Sequence, residues 1–156
     1  MTTIREQIIQ RILTQLETIS TANGYENTIG LGNVYRQEAV IKQANPPAAA
    51  VWELEEERKR NAYGGTVRVL KVRIEAIVSA PVDKHPAMVS NALLGDIEKA
   101  LIIADVSLDI LIDDIQDVAA EIAHFPQNKG LAGAAIDFEI KYTTEWGDPY
   151  SQGYSS

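Results

Sequence analysis

Two histidines and a few serines are the residues of this chain that could act in proton transfer or nucleophilic catalysis. His85 and His124 stand far apart, and His85 precedes a proline. A Ser-His-Asp arrangement could be assembled with Ser79, Ser90 or Ser107, but no G-x-S-x-G nucleophile elbow accompanies any of them. Because such a site is defined by geometry rather than by composition, the sequence predicts no catalytic residue.

Metal and cofactor signatures are also missing. The chain has no cysteine, and two histidines without an H-E-x-x-H motif do not supply a zinc ligand set. Gly30 and Gly32 begin like a dinucleotide-binding fingerprint, but the third glycine is absent and the segment leads into a predicted strand instead of a helix. We therefore expect no cofactor and no metal, and we interpret this segment as a turn.

An acidic run lies in the C-terminal half of the chain and comprises Asp105, Asp109, Asp113, Asp114 and Asp117. A calcium loop needs oxygen ligands at alternate positions and a glycine at its sharp turn, which this spacing does not supply. The ordinary interpretation is a solvated acidic face, and a charged rim at a subunit contact is the alternative. With 22 acidic against 14 basic residues, the chain is a poor binder of duplex nucleic acid.

The basic cluster is Arg58-Lys59-Arg60, which is followed by Tyr63 and preceded by the glutamates 55–57. A nucleic-acid patch is the weakest of three interpretations, because the local charges cancel and such a patch needs a sustained basic surface. The other two are a solvated loop and an arm that orders on a protein partner. Trp146 is a further candidate contact, because tryptophan is enriched at the centres of interfaces.

Apolar spacing predicts the elements that position these residues in the first half of the chain. Isoleucine and leucine recur every three or four residues from Ile4 to Ile19, as in an amphipathic helix, and Thr3 and Glu6 have capping-box spacing. Strands are predicted over about 32–42, 48–57 and 66–80. The charged, glycine-rich segment 55–65 is interpreted as a long mobile hairpin loop.

Two features of these elements need a packing explanation. Val67 and Val69 are out of phase with the apolar residues from Leu70 onward, which predicts a bulge or a stretch covered on both faces. Pro86 predicts the start of a second helix, because proline is favoured at the first helical position. Gly95 interrupts the apolar stripe of that helix, and we expect it to pack closely on the sheet.

The last third of the chain predicts a hairpin. Within 105–125 the apolar residues Leu111, Ile115, Val118 and Ile122 fit a helix, whereas Val118, Ala120 and Ile122 also fit a strand. A hairpin across the turn 126–130 would pair 117–125 with the alternating strand from Ala134 to Tyr142, so we favour a strand there. The order helix, three strands, helix, two strands predicts an α+β fold, a two-layer sandwich with a mainly antiparallel sheet of about five strands and both helices on one face. We expect one domain over 1–146 and a polar, flexible C-terminal tail over 147–156.

Membrane insertion and secretion are not expected. The longest apolar runs, 48–52 and 100–104, are far shorter than a membrane-spanning helix. The first residues also lack a basic stretch followed by an apolar core, so no secretory signal is predicted.

A family resemblance rests on a succession of motifs. An amphipathic helix, Gly24-Tyr25 and the strand Gly32-Asn33-Val34-Tyr35-Arg36 follow one another, and this succession resembles the tail-terminator (tail-completion) proteins of long-tailed bacteriophages. The layout agrees over about residues 4–150, with a charged loop, a His-Pro-led helix containing Asp96-Ile97-Glu98-Lys99-Ala100-Leu101, a closing strand at 136–144 and an Asp148-Pro149 tail. The segment 105–125 matches least.

The resemblance implies a non-enzymatic structural protein of the virion tail, assembled in the host cytoplasm into a ring, typically a hexamer. Such a ring caps the head-proximal end of the tail tube, ends tube polymerisation and offers a surface to the head-side connector, while DNA passes without specific binding. The implied partners are other copies of the chain, the tail tube protein and the head-side connector or neck protein. Two alternatives stay open: a head–tail connector or neck protein, and a small enzymatic or ligand-binding α+β domain.

Two groups of residues follow as candidate sites of such a protein. We expect Arg58, Lys59, Arg60, Tyr63 and Trp146 to make protein contacts. We also expect some of the aspartates 105, 109, 113, 114 and 117 to line the channel, because an acidic lumen does not hold back passing DNA.

Overall fold

The N-terminal apolar stripe forms helix α1, Ile4–Glu17, in the computed structural model, which describes residues 1–40 and 45–153. Thr3 caps α1, because its hydroxyl oxygen accepts a hydrogen bond from the Glu6 amide at 3.1 Å. The predicted capping box is only half formed, since the Glu6 carboxylate is engaged by Arg36 and Gln10. The apolar residues of the buried face are Ile4, Ile8, Ile9, Ile12 and Leu16.

The strands of the described residues form one sheet. They are β1 Val34–Arg36, β2 Ala48–Arg60, β3 Gly65–Ser79, β4 Asp114–Ile122, β5 Leu131–Glu145 and β6 Asp148–Gln152. Their order is β1-β2-β3-β5-β4, and β6 pairs with the C-terminal end of β5. All pairs are antiparallel except β1 with β2. The predicted α+β class and mainly antiparallel sheet are confirmed.

Both helices pack on one face of this sheet, called here the helix face. Helix α2 spans Pro86–Glu98 and continues as a wider π-helical segment, Lys99–Ile103. It begins as predicted at His85, whose Nδ1 accepts a hydrogen bond from the Ala87 amide at 3.1 Å. Helices and sheet share one core, which includes Ile8 and Ile12 of α1, Leu93 and Ile97 of α2, Leu70, Val72 and Ile74 of β3, and Ile136 and Phe138 of β5.

The opposite face, called here the open face, carries a smaller apolar cluster at one end. Ala48, Ala50 and Ile77 are buried there, with Trp52 and Phe125 half-buried against them. Ala48 pairs with Ile77 across β2 and β3, so this part of the sheet is covered on both faces. The double cover explains why residues 48–51 are buried without alternation.

The predicted first strand is shorter in the structure. Only Val34–Arg36 is paired, in parallel with residues 49–51 of β2. At Gln37 the backbone adopts a positive φ of 56°, which takes the chain out of the extended conformation. The end of the predicted range, residues 41 and 42, lies outside the described residues.

The prediction of a long hairpin loop over 55–65 is wrong. Strand β2 continues to Arg60, which pairs with Thr66, so the turn comprises only residues 61–64. Apolar spacing does not predict this part of β2, because most of its side chains are exposed and show no apolar period. They are exposed because β1 pairs only with the first half of β2.

The expected change of phase in β3 is absent. Arg68, Leu70, Val72 and Ile74 continue one buried series, so an arginine occupies a core-side position and Val67 and Val69 belong to the open face. The irregularity lies in β2, where a bulge between Glu53 and Glu56 shifts the register with β3.

The C-terminal third follows the predicted hairpin, with shifted boundaries. Strand β4 spans Asp114–Ile122 instead of 117–125, and it forms an exposed edge of the sheet. The expected tail over 147–156 contributes strand β6, and residues 154–156 lie outside the described residues. No helix in the described ranges is long and apolar enough to cross a membrane.

Gly95 is not explained by close packing, which corrects the sequence-based expectation. A Cβ built at Gly95 meets no atom within 4 Å, whereas one at Gly133 comes within 3.1 Å of the Ala123 Cβ. We expect Gly95→Ala to raise the free energy of unfolding by about 0.5–1 kcal/mol, because it lowers the entropy of the unfolded chain. The matched control Gly133→Ala should lower it by about 1–3 kcal/mol through overpacking.

Urea unfolding of both variants measures these changes. Destabilisation by Gly95→Ala would contradict the open surface that the structure shows at this position.

Candidate interaction surface

The structure brings the five predicted contact residues to one end of the sheet. This surface, called here the hairpin end, comprises Arg58, Lys59, Arg60, Tyr63 and Trp146. The β2–β3 turn lies against the β5–β6 turn, because the Trp146 amide donates a hydrogen bond to the Gly64 carbonyl at 2.9 Å. The Asn61 side-chain oxygen fixes the first turn by accepting from the amides of Tyr63 and Gly65, each at 2.9 Å.

Two exposed aromatic side chains lie at the hairpin end. Tyr63 is 65% exposed and Trp146 is 62% exposed. The guanidinium of Arg60 lies 4.2 Å from the centroid of the Trp146 ring, which holds the indole by a cation–π interaction. Tyr63 and Trp146 also border a common recess of about 260 Å³. An accessible tryptophan beside an arginine and a tyrosine is typical of a protein-binding surface.

The basic cluster is divided between the two faces of the sheet. Arg58 pairs with Arg68, whose side chain continues the core-side series of β3. Lys59 pairs with Val67 and therefore belongs to the open face. Because strand side chains alternate, the consecutive residues Arg58, Lys59 and Arg60 do not form one basic patch.

A buried polar network, which sequence reasoning missed, supports Arg58 from the helix side. The Glu56 side chain is only 4% exposed and accepts hydrogen bonds from Arg58 Nε at 2.6 Å and Tyr142 Oη at 2.5 Å. Arg5 and Arg68 approach the same carboxylate at 3.6 and 3.9 Å. Burial, and then the hydrogen bond with Glu56, raise the pKa of Tyr142 to about 12.

The signal for this network was present in the sequence. Arg68 stands in phase with Leu70 and Val72, which marks it as a core-side residue in need of a buried partner. The prediction of a loop over 55–65 did not place Glu56 on the core side of the sheet, so Glu56 was not recognised as that partner.

A second ion-pair cluster ties the edge strand β1 to the rest of the fold. Arg36 binds both oxygens of Glu6 at 2.7 and 2.8 Å and Glu53 at 2.7 Å, so it joins β1 to α1 and β2. Hydrogen bonds from Arg36 and Gln10 lower the pKa of Glu6 from 4.5 to about 2. The same carboxylates raise the pKa of Arg36.

The five aspartates do not form one surface. Arg11 pairs with Asp105 at 2.9 Å, and the Thr143 hydroxyl donates a hydrogen bond to Asp113 at 2.7 Å. Asp109, Asp114 and Asp117 are exposed. Asp114 pairs with Lys141 on the open face, whereas Asp117 pairs with the core residue Phe138 and so belongs to the helix face.

The candidate chemical groups are dispersed. Ser90 is buried and its hydroxyl accepts a hydrogen bond from the Gly133 amide, while His85 caps α2. Within residues 1–40 and 45–153, no group of three or more His, Asp and Glu side chains is placed to hold a metal ion.

Comparisons with known proteins identify a shared fold. No protein-family model matches the chain, and no curated protein matches it in sequence. A solved structure that matches it is a chain in the virion of a native gene transfer agent (GTA) particle, with a TM-score of 0.51 and 15% sequence identity. The match covers 83% of this chain and 90% of that chain. At this identity the likeness establishes the common fold.

The ion pair between Glu6 and Arg36 predicts a dependence of stability on acid. Because the folded-state pKa of Glu6 lies below the ordinary value, its contribution is present above about pH 4.5 and is lost as the pH falls towards 2. We expect Glu6→Gln to lower the free energy of unfolding at pH 7 by up to about 1 kcal/mol, because the pair is partly exposed.

Unfolding of wild type and variant between pH 7 and pH 2 tests this prediction. The difference between the two proteins should shrink across the acid range, and a difference that does not change with pH would contradict it.

Proposed function

We propose that this chain is a structural virion protein that forms a ring on the head-proximal end of a phage tail tube. The ring ends tube polymerisation and provides the surface for head–tail joining, as in the tail-terminator proteins that the sequence resembles. The observation that carries the proposal is the common fold with a chain of a GTA virion over 83% of this chain. Fold alone does not specify a function, so the proposal also depends on the surfaces of the molecule.

The hairpin end fits a docking surface for the tube. Its turns are held by backbone hydrogen bonds, so Tyr63 and Trp146 project from a rigid end of the sheet. Preorganised aromatic side chains lose little conformational entropy on binding, which favours contact with a regular polymer end. The partners in this proposal are other copies of the chain, the tail tube protein and the head-side connector.

The acidic lumen is part of the same proposal, but with fewer residues. Asp105 is paired with Arg11, and Asp113 accepts a hydrogen bond from Thr143. Of the other three aspartates, Asp117 lies on the helix face, which leaves Asp109 and Asp114 as exposed carboxylates able to border a channel. Exposed carboxylates there would repel the phosphates of passing DNA.

Deletion of the gene for this chain from the genome that encodes the particle tests the function. We expect overlong tail tubes in negative-stain electron micrographs, because nothing then stops polymerisation. A complementing gene with Tyr63→Ala and Trp146→Ala should restore normal length poorly, whereas the exposed control Met88→Ala on α2 should restore it fully.

Other outcomes are equally informative. Separate heads and finished tails of normal length would identify a neck protein instead. Normal particles would refute the proposal altogether.

A further inference from the structure

A small cavity beside the start of α1 is lined by three arginines. This cavity, called here the arginine pocket, has a volume of about 300 Å³. It is bordered by Arg5, Arg58 and Arg68 together with Thr3, Gly147 and Pro149. The pocket lies on the helix side of β2, next to the hairpin end. It therefore joins the core-side network of Glu56 to the outer edge of the sheet.

Positive charge exceeds negative charge around this pocket. Glu56 contacts Arg5, Arg58 and Arg68, Glu53 contacts Arg5 and Arg36, and Glu6 contacts Arg36. Four guanidinium groups thus share three carboxylates. The cluster therefore carries one positive charge more than its own carboxylates balance, and the half-exposed Arg58 presents that charge at the surface.

Arg68 shows where a balancing negative charge is missing. It is 7% exposed, and its Nε has no hydrogen-bond partner among the described residues. Its contact with Glu56 is the longest of the ion pairs made by that carboxylate, at 3.9 Å. A buried donor without a partner is unfavourable, and a carboxylate is the group that pairs best with a guanidinium.

The sheet has two free edges that can bring such a carboxylate from another copy. In the described residues, no strand pairs with the outer side of β2 beyond Glu53, and none pairs with the outer side of β4. Strand β4 runs antiparallel to β2 within the sheet. A second copy that lays its β4 along β2 would therefore continue the sheet with antiparallel pairing.

Asp117 is the residue of β4 suited to the pocket. It is exposed and lies on the helix face, the side on which Arg58 and Arg68 lie. The other helix-face residues of β4 are apolar: Ile115, Ala120 and Ile122. Asp114 and Glu121 belong to the open face. The helix face of β4 therefore carries one carboxylate, which matches the one excess positive charge at the arginine pocket.

We infer that Asp117 of one copy enters the arginine pocket of the next copy and pairs with Arg58 and Arg68. The contact joins different surfaces of the two copies, so its repetition builds a closed ring or an open filament. This inference rests on the proposed ring and names the chemistry of its subunit contact.

A charge-swap experiment tests the contact by sedimentation velocity of the full chain. We expect Arg58→Glu and Asp117→Arg each to weaken assembly at least tenfold. An equimolar mixture of the two should assemble, because every contact in an alternating ring pairs opposite charges. The double variant should assemble alone for the same reason.

Asp83→Arg and Lys84→Glu, beyond the far end of β3, are controls of equal charge change and should assemble like wild type.

The neutral variants Arg58→Gln and Asp117→Asn serve as a second pair if a reversal disturbs folding, which circular dichroism reports. They should weaken assembly in the same direction. Single variants that assemble like wild type, or folded reversals that do not assemble when mixed, would overturn the contact.

A free anion is the other possible source of negative charge. Suppose that acetate binds to the Asp117→Asn monomer and that the Arg58→Glu variant assembles like wild type. The pocket would then be a small-anion site, and the inference would be overturned. A wild-type chain that stays monomeric would also overturn this contact, whereas the proposed function is tested separately, by tail length and by the position of the chain in the particle.

Discussion

The pairing of β3 with β5 along their whole length is the interaction on which the rest of the molecule depends. It runs without a register shift from Gly65 opposite Glu145 to Ser79 opposite Leu131. Its alternation places Leu70, Val72, Ile136 and Phe138 under the helices. The same register sets the β2–β3 turn beside the β5–β6 turn, so the fold core and the hairpin end have one structural cause.

Charge is distributed unevenly between the two edges of the sheet. Arginines collect where α1 meets β2 and leave a positive charge in excess, while the far edge strand β4 carries exposed acidic residues. A protein that meets copies of itself and the end of a polymer needs surfaces that differ in this way, because identical faces would give closed pairs. The free edges, the exposed aromatic residues and the charge asymmetry support the proposed role in assembly.

Periodicity in the sequence was sufficient to predict the helices, the central strands and the α+β class, since buried faces impose regular apolar spacing. It failed for residues 55–60, because an edge strand with exposed side chains looks like a charged loop. It also could not reveal the role of Asp96, which accepts hydrogen bonds from the amides of Glu26 and Asn27 about seventy positions away. The five residues of the hairpin end lie together at one end of the sheet, but the division of Arg58 and Lys59 between its two faces became visible only with the strand register.

The central claim is that this chain acts as a ring at one end of a tube. Cryo-electron microscopy of intact particles tests it most directly, by locating the chain within the map. We predict a closed ring of copies on the last tube ring, on the side of the head, with β4 of each copy beside β2 of the next. Density for the chain elsewhere in the particle, or none at all, would contradict it.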